Sequence, residues 1–394
     1  MQHQLSGATQ NNSYGAFLEI TDIDAIGIEH DLGENRAYGM SRGLTSSRNA
    51  TLILIKTDTE IVGIGEAWGP CSLVLAALET LKPYFIGRNI YDHGQIPPYI
   101  YSQRYHLGYQ NTVTSCLSGI DIAAWDAIGK DKDLPVHSLI GGQHQDRIPV
   151  YASNGYFALN PAEQLGDQLK VLREQGYPGT KIKIGHSPED DERRVAIARK
   201  ALGDDILLMV DANGNYTSDI ALQSMNRIQP YGIHFYEEPL TPTDLQGYED
   251  LHRRSPIPIA TGEALYTAHD FKRLMDIKGA DLWQPDLTLC GGLTVGRDIF
   301  ALSKLAHVRM SPHVWGSAVG LAAALHYAAS LTPWPHSDAI PQPLLLEYDR
   351  GKNALRDEIL ISPLRQVDGH LAVPKGPGLG IELNWDVIEK YRVN

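Results

Sequence analysis

The sequence predicts an α/β protein in which an N-terminal α+β unit precedes a barrel of parallel β-strands. Near its start the chain alternates apolar and polar residues over long strand-like segments, and helical patterns follow only later. After residue 147, short apolar strands and amphipathic helices alternate regularly, which is typical of parallel strands with right-handed crossovers. A chain of 394 residues is long enough for two or three such units.

The N-terminal unit begins with three strand-like segments, the last two of which are joined by a tight polar turn. This arrangement predicts a small antiparallel meander. Two helical patterns follow it, SLVLAALETLKPYF and TSCLSGIDIAAWDAIGKDK. We therefore expect residues 1–147 to form an α+β domain and residues 148–349 to form the barrel. The three strand segments are FLEITDIDAIGIEHDL, ATLILIKTD and EIVGIGEAW.

The barrel is predicted by a repeat of strand and helix, of which HSPEDDERRVAIARKALG is the clearest helix. Ser187 can cap it, Pro188 suits its first position and Gly203 stops it. An ionisable residue recurs at the strand ends every 23 to 28 residues, about one βα unit of a (β/α)8 barrel. The carboxyl ends of barrel strands form the active face, whereas an open doubly wound sheet, the alternative, would not bring six successive ends together. These residues are Lys183, Asp211, Glu237, Glu263, Asp286 and His313.

Three of these residues, Asp211, Glu237 and Glu263, end consecutive strands and indicate a metal site. Carboxylates this close repel one another strongly unless a cation neutralises them. An all-oxygen set selects a hard metal, and Mg²⁺ fits because it takes a few carboxylates and keeps positions for water and substrate. Asn213 and Glu238 are expected to support the ligands. Each motif alone is more often a turn or a solvated acid, and the prediction depends on their shared spacing.

The segment GTKIKIGHS places Lys181 and Lys183 on one side of a strand and two isoleucines on the other. Beside a bound anion and a metal, two inward-facing lysines gain a role, and one with a lowered pKa can act as a general base. An exposed edge strand with solvated lysines is the alternative, but it does not account for the apolar opposite face.

Asp286 and His313 form a second candidate acid–base group. An aspartate that accepts a hydrogen bond from one imidazole nitrogen fixes the tautomer and leaves the other nitrogen to exchange protons. The alternative is a histidine that merely satisfies its neighbours in the core.

Several classes of function are disfavoured by composition and motifs. The net charge of −13 argues against a nucleic-acid surface, and three cysteines without CxxC spacing argue against a disulfide framework or a zinc site. Residues 1–15 form a polar tail without the apolar core of a signal peptide, and no apolar run is long enough for a membrane span. We expect a cytoplasmic protein. GIGEAWG lacks the dinucleotide fingerprint, and neither a P-loop nor GxSxG occurs.

Taken together, an ordered set of motifs resembles the enolase superfamily, mandelate racemase subgroup. The resemblance implies a modified TIM barrel, (β/α)7β, with an N-terminal capping domain that the segment 350–394 closes. It implies that Mg²⁺ binds the three strand-end carboxylates, that Lys183 is the base on one face with Lys181 near the substrate carboxylate, and that the Asp286–His313 pair serves the other face. Glu347 is implied as a donor to the developing enolate oxygen. The motifs are KIK, DAN, EEP, GE, PD, PH and the glutamate of LLLEYD.

Within the subgroup, segments such as SGIDIAAWD, PHVWGSAVGLAAAL and EYDRGKN are most similar to galactarolactone cycloisomerases and acid-sugar dehydratases. The expected reaction is removal of the α-proton of a polyhydroxy carboxylate, followed by loss of a β-oxygen. A racemase or epimerase that uses the same two bases, and a non-catalytic acid-sugar binding protein, are the alternatives. The capping loops are where this family sets substrate choice, and Tyr38, Arg42 and Trp68 are candidate substrate contacts there. The expected partners are a small carboxylate and further copies of the chain.

Overall fold

A computed structural model describes residues 16–159, 164–332 and 344–393; the predicted polar tail, 1–15, lies outside this part of the chain. The described strands are β1 Ile20–Asp31, β2 Tyr38–Met40, β3 Gly43–Thr45, β4 Ser47–Thr57, β5 Val62–Ala67, β6 Arg147–Asn154, β7 Phe157–Ala158, β8 Gly179–Lys183, β9 Leu207–Asp211, β10 Ile233–Glu237, β11 Ile259–Thr261, β12 Leu282–Trp283, β13 Arg309–Met310, β14 Leu346–Asp349, β15 His370–Ala372 and β16 Arg392–Val393.

The described helices alternate with these strands, and none of them has the length and apolar character of a membrane span. They are α1 Cys71–Phe85, α2 Ile96–Gln103, α3 Thr112–Lys132, α4 Val136–Ile140, α5 Leu165–Glu174, α6 Pro188–Leu202, α7 Ser218–Ile228, α8 Leu245–Arg254, α9 Thr267–Asp276, α10 Gly292–Ala306, α11 Ala318–Ser330, α12 Ala354–Asp357 and α13 Trp385–Tyr391, with short 3₁₀ helices at Glu34–Arg36, Ile90–Gln95, Tyr105–Leu107 and Gln229–Tyr231.

The N-terminal cap contains the predicted antiparallel meander of β1, β4 and β5. Helix α3 lies so close to β5 that side chains on the facing residues would not fit. A Cβ on Gly63 or Gly65 would lie 2.1 Å from a backbone oxygen of α3. Strand β16 then adds to the free edge of β1, with Gly27 opposite Val393. The C-terminal segment thus completes the cap sheet.

Eight parallel strands form the barrel sheet in the order β13-β12-β11-β10-β9-β8-β6-β14. Each of the first seven is followed by one of the helices α5 to α11, so the expected (β/α)7β arrangement is confirmed. The last strand, β14, pairs with the first, β6, which excludes the open doubly wound alternative. Between β13 and β14, the Ser311 hydroxyl donates to the Leu345 carbonyl at 2.6 Å. Large side chains such as Tyr151, Met209 and Phe235 fill the interior.

A hairpin of β2 and β3, which the sequence analysis did not predict, fastens the cap to the barrel. Strand β2 pairs with β7, which follows the first barrel strand. Its turn is tight, because a Cβ on Gly39 would lie 2.4 Å from the Gly43 carbonyl oxygen. The hairpin therefore joins a capping loop to the first unit of the barrel. The division at residues 147 and 349 stays a prediction.

Helix α6 begins and ends as predicted. The Ser187 hydroxyl accepts a hydrogen bond from the Asp190 backbone N–H at 3.2 Å, and Gly203 follows the last turn with a φ of 75°. Three acids in the first turn favour the positive end of the helix dipole. The N-cap residue, the acids of the first turn and the glycine after the last turn therefore all support the same helix boundaries.

A buried histidine pair joins α4, α11 and the C-terminal segment. His137 and His326 stack with ring centroids 5.2 Å apart. The His326 Nδ1 accepts from the His137 backbone N–H at 3.2 Å, and its Nε2 donates to the Leu379 carbonyl at 3.0 Å. This pattern requires a neutral ring, and burial lowers the pKa of His326 to about 4.

We predict that the His326 ring makes stability fall in mild acid. Its folded-state pKa is below the usual value of about 6.5, so its contribution is complete above that pH and is lost as pH falls toward 4. Between pH 7.5 and pH 5, the wild type should lose roughly 2 kcal/mol more unfolding free energy than His326→Gln. Urea denaturation at both pH values measures this difference. The exposed-site control His106→Gln should follow the wild type, and equal losses in all three proteins would contradict the prediction.

Candidate active site

The three predicted metal ligands converge at the carboxyl ends of consecutive strands. Asp211 ends β9, Glu237 ends β10, and Glu263 follows β11 after Gly262, whose φ is 137°. One carboxylate oxygen from each of the three acids lies within 4.8 Å of the others. The barrel therefore produces the cluster that the spacing predicts.

The contacts of these acids leave oxygen atoms available at the centre. Asp211 Oδ1 accepts from the Asn213 backbone N–H at 2.8 Å, and Glu237 Oε2 accepts from Gln284 Nε2 at 2.6 Å. Within the part of the chain that the structure describes, no donor forms a hydrogen bond to the buried oxygens Glu263 Oε2, Glu238 Oε1 and Asn213 Oδ1. Buried oxygens without a donor are costly unless a cation or water satisfies them. The all-oxygen set therefore fits a divalent cation.

The two predicted supporting residues adopt unusual backbone conformations beside the ligands. Asn213 has a φ of 46° and Glu238 a φ of 39°, in the left-handed region that L-residues seldom occupy. Both side chains are buried next to the acids that they follow. Such strain is held by the surrounding fold and is common at functional sites.

The surroundings shift the pKa values of Glu237 and Asp211 in opposite directions. Burial raises the pKa of Glu237 well above its usual value, with Lys181 opposing this effect. Burial also acts on Asp211, but Lys183 and Lys181 outweigh it and lower its pKa to about 2. The two lysines therefore do not neutralise all the acids, and the site has room for further positive charge.

Both predicted lysines point into this cluster from β8. Lys183 Nζ lies 2.5 Å from Asp211 Oδ2. Lys181 Nζ contacts Glu237 and lies 2.9 Å from Glu347 Oε1. Burial alone lowers the pKa of Lys183, and its net rise comes from the charge of Asp211. Strand β8 is buried and lies between β9 and β6, which excludes the alternative of an exposed edge strand with solvated lysines.

The Asp286–His313 pair lies at the other end of the row of acids. His313 Nδ1 is 2.7 Å from Asp286 Oδ2, and its Nε2 is 3.4 Å from Glu263 Oε2. Asp286 is fixed in turn by the backbone N–H and the hydroxyl of Thr288. Burial lowers the pKa of His313, but Glu263, Glu347 and Asp286 together raise it to about 10.

Glu347, on the closing strand β14, lies between Lys181 and His313. Its Oε1 contacts Lys181, and its Oε2 accepts from the Val314 backbone N–H at 3.3 Å and lies 3.7 Å from His313 Nε2. Although burial opposes ionisation, Lys181 and His313 lower its pKa to about 2.

The cap fixes the loop that carries His313. The buried Glu66 carboxylate accepts from the backbone N–H of Ser317 at 2.9 Å, from the Ser317 hydroxyl at 2.5 Å and from the Gly320 N–H at 2.7 Å. It thereby supports the N-terminus of α11, which Ser317 caps. Close by, the Trp68 backbone N–H donates to the Thr288 carbonyl at 2.9 Å.

The three candidate substrate contacts occupy different positions. The Trp68 ring meets the His313 ring edge to face at 6.2 Å. The buried Tyr38 hydroxyl is engaged by protein, accepting from Arg48 at 2.9 Å and donating to the Lys352 carbonyl at 3.0 Å. Arg42 is exposed on the hairpin turn and lines a cavity of about 580 Å³ with Tyr156 and His186. The structure brings Trp68 to the acid–base pair and leaves Arg42 apart from it.

Sequence reasoning missed three further residues at the site. Gln284, which bonds Glu237, lies two residues before Asp286, and that spacing was a usable signal. Tyr156 and Trp315 each place a ring 5.8 Å from Lys183 Nζ. Trp315 lies two residues after His313, but the loop sequence alone does not indicate which way its ring turns.

Comparison with known proteins agrees with this geometry. The model of the enolase C-terminal domain-like family matches residues 164–387, and that of the mandelate racemase / muconate lactonizing enzyme N-terminal domain matches residues 26–141. D-galactarolactone cycloisomerase of Agrobacterium fabrum is 35% identical over 95% of this chain and 99% of its own length. Arabinonate dehydratase of Saccharolobus solfataricus is 31% identical over 86% of this chain and 89% of its own.

A solved structure extends the likeness to three dimensions. The 3,6-anhydro-D-galactonate cycloisomerase from Zobellia galactanivorans superposes with a TM-score of 0.85 at 31% identity, covering 95% of this chain and 100% of that one. Named relatives thus include both lyases and isomerases. The chain is an enzyme that belongs to the enolase superfamily, in the mandelate racemase / muconate lactonizing enzyme family.

Proposed function

We propose that this enzyme removes the α-proton of a polyhydroxy carboxylate, an acid sugar or its lactone, and then expels a β-oxygen. The supporting observation is that two acid–base groups flank one carboxylate cluster. Lys183 lies 2.5 Å from Asp211 at one end, and His313 lies 3.4 Å from Glu263 at the other. A carboxylate bound at the cluster would therefore have a group that can exchange a proton on each side.

Asp211, Glu237 and Glu263 would hold Mg²⁺, with Asn213 and Glu238 beside them. When bound, this ion supplies positive charge that stabilises the negative charge developing on the substrate carboxylate. The α-proton of a carboxylate is otherwise far too weak an acid for a side-chain base. Lys181, fixed by Glu237 and Glu347, adds a second positive charge near the same oxygens.

The proton transfers fall to the chain's own residues. One of Lys183 Nζ and His313 Nε2 accepts the α-proton, and the C–H electron pair moves toward the carboxylate to give an enediolate. When the enediolate collapses, its electron pair forms a double bond between Cα and Cβ, and the bond from Cβ to the β-oxygen breaks. A protonated side chain near the departing oxygen then donates a proton to it. Asp286 holds the Nδ1 side of His313, so that Nε2 is the nitrogen that exchanges protons. Because Lys181 and His313 lower the pKa of Glu347, this side chain would donate to the developing enolate oxygen only after it takes up a proton.

Elimination is favoured over the alternatives by the relatives. The relatives reported above are named as a lactone cycloisomerase, a dehydratase and an anhydro-sugar-acid cycloisomerase. A racemase using Lys183 and His313 on opposite faces is the second candidate, supported by the same flanking geometry. A non-catalytic binding protein would have no use for bases at both ends of the cluster. Cytoplasmic location and a homo-oligomeric state stay predictions.

We predict that the three strand-end carboxylates bind Mg²⁺. Mg²⁺ should bind the purified chain, and Glu237→Gln should weaken binding at least on the order of tenfold because one charged ligand is lost. Isothermal titration calorimetry measures this, with Asp270→Asn as a control at a buried carboxylate elsewhere. A crystal grown with magnesium should show oxygen ligands at about 2.1 Å. If the three carboxylates lie apart in that crystal, the site is wrong.

The reaction products distinguish elimination from racemisation. With an acid sugar or its lactone in D₂O, proton NMR should detect a keto-deoxy acid or a ring-opened enol product. Lys183→Ala and His313→Asn should lower the turnover rate to different extents. Loss of the side chain that acts as the eliminating base should slow turnover by roughly 10² to 10⁴-fold. His269→Asn, at an exposed histidine, is the control. If the sole product is the deuterated α-epimer with its β-hydroxyl retained, the racemase hypothesis replaces elimination.

A further inference from the structure

Two aromatic rings lie beside the Lys183 ammonium group. The ring centroids of Tyr156 and Trp315 each lie 5.8 Å from Lys183 Nζ, within the range at which a ring face attracts an ammonium group. The two rings meet edge to face at 5.4 Å and 71°. Both residues are partly exposed. We call this pair the aromatic wall.

Arg48, from cap strand β4, supports the wall from behind. Its guanidinium carbon lies 3.7 Å from the Trp315 ring centroid, and its Nη2 donates to the Trp315 carbonyl. The side chain is 3% exposed, so this stacking occurs away from solvent. A planar guanidinium can stack on the ring and donate to the carbonyl of the same residue, whereas a lysine ammonium cannot.

Asp349, at the end of β14, links the two halves of the wall. Its Oδ2 accepts from Arg48 Nη1 at 3.0 Å, and its Oδ1 accepts from the Tyr156 hydroxyl at 2.7 Å. Its Oδ1 also accepts from the Gly351 backbone N–H at 2.7 Å, which fixes the carboxylate itself. One buried carboxylate therefore sets the positions of both rings.

We infer that Arg48 and Asp349 are positioning residues that hold the aromatic wall against Lys183. The wall limits where the Lys183 side chain and the substrate carbon chain can lie, although neither Arg48 nor Asp349 contacts Lys183. Because Arg48 comes from the cap and Asp349 from the barrel, docking of the cap is what completes the surroundings of the base. The functional part of this inference rests on the proposed role of Lys183.

The test labels the full chain with 5-fluorotryptophan and follows its six tryptophans by ¹⁹F NMR. Trp315→Phe identifies the Trp315 resonance. Arg48→Lys should shift or broaden that resonance. Asp349→Asn should do the same, because its amide oxygen can still accept from Tyr156 while its NH₂ group faces the Arg48 guanidinium, which is also a donor. The control is Asp121→Asn, which weakens another buried link between cap and barrel by removing one of the two acceptors for Thr294, and it should leave the resonance in place.

Kinetics on the acid-sugar substrate provide the second measurement. Arg48→Lys and Asp349→Asn should each lower kcat/KM by roughly 10 to 100-fold, since misplacement near 1 Å has effects of that size. Asp121→Asn should keep wild-type kinetics at a comparable loss of stability. An unmoved Trp315 resonance in both variants, or kinetic losses no larger than those of Asp121→Asn, would overturn the inference. A shifted resonance in a protein whose wild type turns over no acid sugar would support the positioning and refute the proposed function.

Discussion

Repulsion among buried carboxylates is the constraint on which the rest of the structure depends. Asp211, Glu237 and Glu263 bring one oxygen each within 4.8 Å of the others, and Asp211 and Glu237 are fully buried. Coulomb energies between like charges are large in such surroundings, so the arrangement persists only when cations or bound protons compensate the negative charge. The two lysines of β8 provide part of that compensation, and a bound metal would provide the remainder. The same excess of negative charge at the barrel end would favour the binding of a divalent cation.

The cap serves this end of the barrel through a small number of buried polar contacts. Glu66 holds the first turn of α11, and Arg48 holds the Trp315 loop beside it. Each would be a costly buried charge if left alone. Glu66 accepts its hydrogen bonds from the barrel, and Arg48 donates to Asp349 and Trp315 of the barrel and to the Tyr38 hydroxyl. Burial raises the pKa of Glu66, while the donors from Ser317 and Gly320 oppose that rise. The cap and barrel therefore satisfy each other's buried polar groups, and a shift between them would leave several unpaired at once.

The sequence was informative where chemistry follows the chain's own periodicity. One ionisable residue per βα unit sufficed to predict the barrel, the three acids and the two flanking base groups, because parallel strand ends must meet at one face. It was uninformative where contacts cross between distant elements. The pairing of β2 with β7 and the Arg48–Asp349 pair depend on the docking of separate segments. No local pattern of apolar residues marks them, so only the folded arrangement identifies these partners.

The pairing of β1 with β16 has a consequence for how the chain folds during synthesis. Gly27 lies opposite Val393, so one edge of the cap sheet is completed by residues synthesised more than 360 positions after β1. At ordinary elongation rates that interval is on the order of tens of seconds. Until then, β1 presents unpaired backbone groups that could pair with another nascent chain. Such a high contact order favours slow, late consolidation of the cap, and overproduction at high temperature would tend to trap the chain in aggregates before the barrel and its last strand arrive.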